Sequence, residues 1–441
     1  MRQGRQVKLP SMPRAPRLPL FRSVVASLTA LASGALLWPA VAAPTARIAW
    51  TTQFGTRYPD DADGVAIGPG GSLFVVGQTS GEFPGQKNAG MIDGFVRRYD
   101  LGGAEVWTRQ FGSSERDIPK GVTVDDAGNV YVVGQTFGSL PGQTSAGGWD
   151  AFLRKYTAAG DEVWTRQFGG GGAESAASVR IDRAGNAYVV GGTRAALPGQ
   201  TNIGDYDGFI VKFDAAGNEV WVRQFGTKVE DYTLAVTLDR DGNPILAGET
   251  SGLMAGASAA GGLDGFVREY DPDGNVVWTR QFGSPFDDFA VGAAVSPAGD
   301  VLVVGTTYGA LPGQKSEGDA DAYIVAYSGQ GGSLWSRQFG TPGVDDAEAI
   351  AFDATGHPFV AGRVGGPLQG GTSGGGSDAF LAATGPTGDI LWVRQFGGAA
   401  DDYAMALAIG QNGFYLAGGT TGALPGQANV GERDAFIVSI S

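Results

Sequence analysis

Apolar and polar residues alternate along this chain in short runs, and turn-forming residues separate the runs. Between Gly121 and Gly169 the runs read GVTVD, NVYVVGQT, DAFLRKY and EVWTRQFG. A period of two puts successive side chains on opposite faces, which is the pattern of a β-strand. Asp126-Ala127-Gly128-Asn129 and Ala158-Ala159-Gly160-Asp161 supply tight turns, with glycine free to take positive φ. The middle connection, FGSLPGQTSAGGW, is longer. The pattern therefore predicts four antiparallel strands joined by short, long and short connections, with no helical periodicity.

This unit is repeated. Trp50, Trp107, Trp164, Trp221, Trp278, Trp335 and Trp392 stand 57 residues apart, each opening a near-copy of WTRQFG. Seven four-stranded units in phase predict an all-β fold, a seven-bladed β-propeller. The phase also predicts closure. A lone fourth strand, residues 47–54, precedes the first complete unit, and the last unit stops after a third strand, residues 434–440. The early strand is expected to complete the last blade and remove the open edge. An open solenoid would instead need distinct capping repeats, and none is visible.

Most recurring residues read as packing. On the fourth strand Trp107, Arg109 and Phe111 point one way and Thr108 and Gln110 the other, so Trp and Phe are expected to wedge between blades. Phe95, Phe152, Phe209, Phe266, Tyr323, Phe380 and Phe436 do likewise from the third strand. Arg109, Arg166, Arg223, Arg280, Arg337 and Arg394 follow the tryptophans by two residues. Partly buried, each needs an acidic or carbonyl partner. The succession W-x-R-Q-F-G, an acid, G-N-x-Y-V-V-G, L-P-G-Q and D-A-F resembles the SBBP repeats of bacterial seven-bladed β-propellers, over nearly all of residues 45 to 441. The resemblance implies a secreted or cell-surface protein and carries no catalytic motif. Two units depart from it, with MAGASAAGG near Met254 to Gly262 and GGPLQGGTSGGGS from Gly365 to Ser377.

The first 42 residues differ from the rest. Six basic residues precede an apolar run from Val24 to Trp38, and Ala40-Val41-Ala42 offers a small-x-small cleavage site. The reading is a signal peptide over 1–42, cut after Ala42, and a propeller over 43–441. An uncleaved anchor is the alternative. Export predicts a secreted or periplasmic location, including the cell surface, with no membrane insertion after cleavage. The formal net charge is −14, and without the six basic residues the remainder holds 25 basic and 45 acidic side chains. Such a field disfavours nucleic acid and anionic lipid. The expected state is a monomer.

Chemistry is sparse. There is no Cys, so thiol chemistry and disulfides are absent. His357 is the only imidazole and occupies a hairpin slot, where it is expected to be an exposed turn residue, so triads and His-based metal sites are implausible. The long connections share one face, the natural place for recognition. An acid ten residues after each Trp lies there: Asp60, Asp117, Glu174, Asp231, Asp288, Asp345 and Asp402. Seven such carboxylates are expected at the channel mouth, capping their own turns or, alternatively, collecting calcium. The Asp opening each third strand (Asp93, Asp150, Asp207, Asp264, Asp321, Asp378 and Asp434) is expected to tie the long loop to the strand. Aromatics that break the symmetry of the long loops, Tyr58, Trp149, Tyr206, Phe286 and Tyr308, are the candidate ligand contacts. The expected function is a non-catalytic binding or scaffold module for polysaccharide or protein, without a cofactor. The alternatives are a carbohydrate-active hydrolase or lyase using channel-mouth carboxylates, and a calcium-stabilised surface adhesin.

Overall fold

The computed structural model describes residues 46–441 except Ala259, so the signal-peptide segment and its cleavage site lie outside the described residues. After a lone strand β1 (Ile48–Phe54), blade one consists of β2 (Asp60–Ile67), β3 (Leu73–Thr79), β4 (Asp93–Tyr99) and β5 (Glu105–Phe111), paired in that order. The same order is repeated in five further sheets. In the seventh, β1 pairs antiparallel with strand Asp434–Ile440, from Phe54 opposite Ala435 to Ile48 opposite Ile440. The fold is a seven-bladed propeller, closed as the phase of the repeats predicts.

Each blade buries both faces against its neighbours. Second strands such as Val130–Thr136 are buried at nearly every position, which is why they read as continuous β-branched runs. Phe111 packs edge-on against Phe152 of the next blade, with ring centres 5.9 Å apart. Trp107 leans on Phe74 of its own blade and donates from Nε1 to the Ala158 carbonyl, in the next blade's turn, at 3.2 Å. Arg109 follows it across, donating from Nε to Gly160 O at 2.9 Å. Arg166, Arg223 and Arg280 likewise take carbonyl partners in the neighbouring hairpin, and Arg337 pairs with Asp389 at 3.0 Å. Arg394, whose neighbour is completed by β1 and has no such hairpin, makes no equivalent bond among the described residues. The tryptophans are only half-buried, apart from Trp278.

The innermost strand of every blade carries a β-bulge. The register slips between Ala62 and Gly64, and at the equivalent place in the other six blades. The extra residue is unpaired. In chain order it is Asp63, Lys120, Ala177, Leu234, Val291, Glu348 and Met405, and all seven line the central channel, whose volume is about 170 Å³. The bulge also crowds the second strand. A Cβ at Gly134 would sit 2.1 Å from Ile118 O, so only glycine fits the VVGQT position.

Candidate functional site on the long-connection face

The seven recurrent acids do not line the channel. Asp60, Asp117, Glu174, Asp231, Asp288, Asp345 and Asp402 are fully buried one layer behind it. Asp117 accepts the Ser113 backbone N–H at 2.6 Å on Oδ2 and the Thr136 hydroxyl at 2.5 Å on Oδ1. Glu174 accepts Gly170 N–H and Thr193 Oγ1, both at 2.9 Å. Blade six has Val364 where the threonine would be, and Asp345 instead accepts Gly365 N–H at 3.0 Å. Burial pushes these carboxyls up from their ordinary range, and the hydrogen bonds pull them back. Each acid thus closes its own turn. Among the described residues, no three His, Cys, Asp or Glu side chains are grouped to hold a metal ion.

The third-strand acids are also structural in geometry. Asp150 accepts Ala146 N–H at 3.0 Å and Gln167 Nε2 at 2.6 Å. Gln167 in turn donates to Gly138 O and accepts Leu140 N–H on Oε1. The glutamine of RQFG is therefore the node that pins the long loop, a role that strand alternation alone does not reveal. The LPGQ glutamine completes it, with Gln143 Oε1 accepting the Gln167 backbone N–H at 3.2 Å. His357 departs from expectation. It does sit in a hairpin turn, but it is buried at 7% exposure, because Nδ1 meets Thr355 Oγ1 at 2.6 Å and Asp353 lies 3.5 Å away.

With the recurrent polar groups turned inward, the channel mouth is left to side chains that differ between blades. Two sets are neutralised among themselves. Asp61 binds Arg433 Nε at 3.1 Å and the Tyr403 hydroxyl at 2.7 Å. Asp346 pairs with Arg363 and accepts Thr306 Oγ1 at 2.8 Å. Glu249 is different: burial, then Glu230 and Asp287, push its carboxyl up to about 7. Asp63 and Glu348, inside the channel, are also pushed up to about 7, chiefly by burial.

The five candidate aromatics separate. Tyr58, Phe286 and Tyr308 are exposed at 41%, 60% and 50%, Tyr58 beside blade one and the other two together at blade five, where Tyr308 N–H donates to Asp287 O at 2.9 Å. Trp149 and Tyr206 come together. With Tyr232 they wall a cavity of about 240 Å³ at the mouth of blades two to four, which Lys120, Gln135 and Ser175 also reach. Tyr206 and Tyr232 have ring centres 4.5 Å apart, Arg194 lies 4.5 Å over Tyr206, and Phe137 braces Trp149 edge-on at 5.4 Å. A larger cavity, about 550 Å³, opens among the hairpins of the opposite face, but no charged side chain lines it.

The inward-facing Trp, Arg, Gln and Asp set recurs from blade to blade, and part of it matches a known repeat, SBBP. The family model, a beta-propeller repeat, matches residues 106–141 and 163–195. The chain is similar to the regulatory protein FlaEY of Caulobacter vibrioides, at 27% identity over 316 residues, and to an uncharacterized WD repeat-containing protein, L264, of Acanthamoeba polyphaga mimivirus, at 23% over 228 residues. These matches take in 60% and 40% of this chain but 32% and 16% of the relatives, so the chain spans a minor part of either protein's length. Among solved structures, the WD40 propeller domain of Doa1 aligns over 89% of this chain and 96% of that one, with TM-score 0.52 and 10% identity. The polysaccharide lyase Uly1 aligns over 86% and 89%, with TM-score 0.52 and 11% identity. At such identities the likeness is one of fold.

Proposed function

We propose that this propeller is an exported, non-catalytic binding module that takes a polysaccharide or protein ligand on its long-connection face. One observation carries the reading. The polar groups repeated in every blade are spent on internal hydrogen bonds, whereas the side chains that vary between blades gather at one channel mouth. A scaffold repeats its structural residues, and a site breaks the repeat. The cavity walled by Trp149, Tyr206 and Tyr232 is concave, largely apolar and edged by a few polar groups, which is the usual composition of a small-ligand site. The propellers of Doa1 and Uly1 lend the fold and nothing more.

The experiment is to incubate the purified protein with insoluble polysaccharides, cell-wall preparations and immobilised proteins, scoring bound protein and released sugar in the same tubes. Retention without release is expected. Release of sugar, abolished by neutralising a channel-mouth carboxylate such as Glu249, would replace the binding reading with a catalytic one. Retention by none of the materials would remove the binding reading.

A further inference from the structure

The cavity at blades two to four has a charge as well as a shape. Lys120, the bulge residue of blade two, reaches both the cavity and the central channel. Among the described residues it forms no ion pair, and neither do Arg194 or Arg116 at the same mouth. Asp63, the bulge residue of blade one, acts on Lys120 through space only. By contrast, two cations at the same mouth, Arg363 and Arg433, are tied to Asp346 and Asp61. Arg194 holds its guanidinium carbon 4.5 Å over the Tyr206 ring, and a guanidinium carries five N–H donors in its plane. Glu174, the one acid in the cavity wall, is committed to Gly170 and Thr193.

The aromatic walls are specific to this place. The position of Trp149 and Tyr206 is Ile92, Leu263, Ala320, Ser377 and Arg433 in the other blades. The position of Tyr232 is Asp61, Ile118, Ser175, Phe289, Asp346 and Tyr403. Gly192 makes room for the paired tyrosines, since a Cβ there would lie 2.9 Å from the Tyr232 ring. Flat apolar faces accept the C–H face of a sugar ring, while the polar edge accepts its hydroxyls. A volume of about 240 Å³ is below that of a drug-sized pocket and suits one ring rather than several.

Resting on the binding reading above, we propose that this cavity binds a single sugar ring bearing a carboxylate, a uronic-acid unit of an acidic polysaccharide. The ring would lie on Trp149 and against the edge of the stacked Tyr206–Tyr232 pair, with its carboxylate on Lys120 and Arg194. Glu230, Glu249 and Asp287, beyond Tyr232, would repel further carboxylates on that side. The acidic chain would therefore leave over blades two and three.

The test measures affinity of the full chain for oligoglucuronate and for the neutral glucose oligomer of the same length, at low and high salt. The expected result is tighter binding of the uronate by about tenfold or more, with the difference collapsing in high salt. Lys120→Met should abolish the preference and keep the melting temperature, because Met405 already occupies the same place in blade seven. Tyr206→Ala should weaken both oligomers. Equal affinity for the two oligomers, or a preference untouched by Lys120→Met, would overturn the proposal. Retention of a protein ligand but of neither oligomer would also overturn it while leaving the binding reading intact. Retention of nothing would remove both.

Discussion

Gln110 donates from Nε2 to Asp93 Oδ2 at 2.9 Å, and the same glutamine–aspartate bond is present in all seven blades. It joins the fourth strand to the start of the third, while the same Nε2 holds the long loop through Gly81 O. Replacing Gln167 with Ala in blade two would leave the buried Asp150 carboxylate and the Leu140 N–H short of partners. The expected loss is about 2–4 kcal/mol, read from urea denaturation. Gln167→Ala with Asp150→Ala should cost less than the sum of the two single changes, because the pair acts together.

Much of the scaffold is legible in the amino-acid sequence, and the reason is geometric. Trp50 to Trp335 return at a fixed spacing because each meets the next blade's hairpin, Trp392 keeps the phase against Phe414 of the last blade, and that spacing counts the blades. The phase of β1 tells how the ring closes for the same reason. The site is less legible. Trp149 and Tyr206 stand out because they lie in loops, but Tyr232 lies within a strand and reads as ordinary alternation. Lys120 escapes notice because all seven blades share the bulge, so the extra residue never disturbs the period. Setting the repeats in columns supplies the signal, since that column reads Asp, Lys, Ala, Leu, Val, Glu, Met between nearly constant neighbours. His357 is expected to face solvent because its sisters are turn asparagines, and the hold of Thr355 and Asp353 on the ring is not a pattern a sequence displays.

Half-burial of the tryptophans scales their worth. Trp107→Ala removes a partly covered ring and the bond to Ala158 O, and the expected cost is about 2–3 kcal/mol, below the usual range for a fully buried aromatic. Trp278 is 8% exposed, so Trp278→Ala should cost about 3–5 kcal/mol. Equal losses in the two variants, measured by thermal or urea unfolding, would mean that burial does not set the contribution.

Glu249 gives a signed dependence on pH. Its carboxyl is pushed from an ordinary 4.5 up to about 7 by burial, with Glu230 and Asp287 adding to it. Between those values the native state holds more protons than the unfolded chain. Stability from this group therefore falls as pH rises through the window and is level above it. Glu249→Gln should leave stability unchanged near about pH 4 and raise it near about pH 8, by of order 1 kcal/mol. A variant that is equally stabilised at both values would show that the carboxyl does not titrate in this range.

The recurrent acids carry a prediction about metals. Asp117 and Glu174 are each engaged by a backbone N–H and a threonine hydroxyl. With those bonds in place, calcium or a chelator should leave the melting temperature unchanged. A calcium-dependent rise of several degrees, removed by neutralising one ring acid, would assign these carboxylates a metal after all.

Closure rests on β1. Its backbone pairs with Asp434–Ile440, and Gln53 reaches Asp434 Oδ2 and Gly422 O, both at 2.8 Å, while accepting Leu424 N–H at 2.9 Å. Phe54 packs with Phe83 and Phe95 of blade one, so the strand joins two blades. Removing residues 46–55 would leave blade seven with three strands and an unpaired edge beside apolar surface. Such an edge pairs with whatever strand it meets. The expected outcome is oligomerisation or unfolding, seen by light scattering after size exclusion. Supplying the peptide IAWTTQF in trans should restore the monomer in part. A truncated chain that remained a monomer with an unchanged melting temperature would mean that the inner strands alone hold the ring, and that β1 only covers an edge.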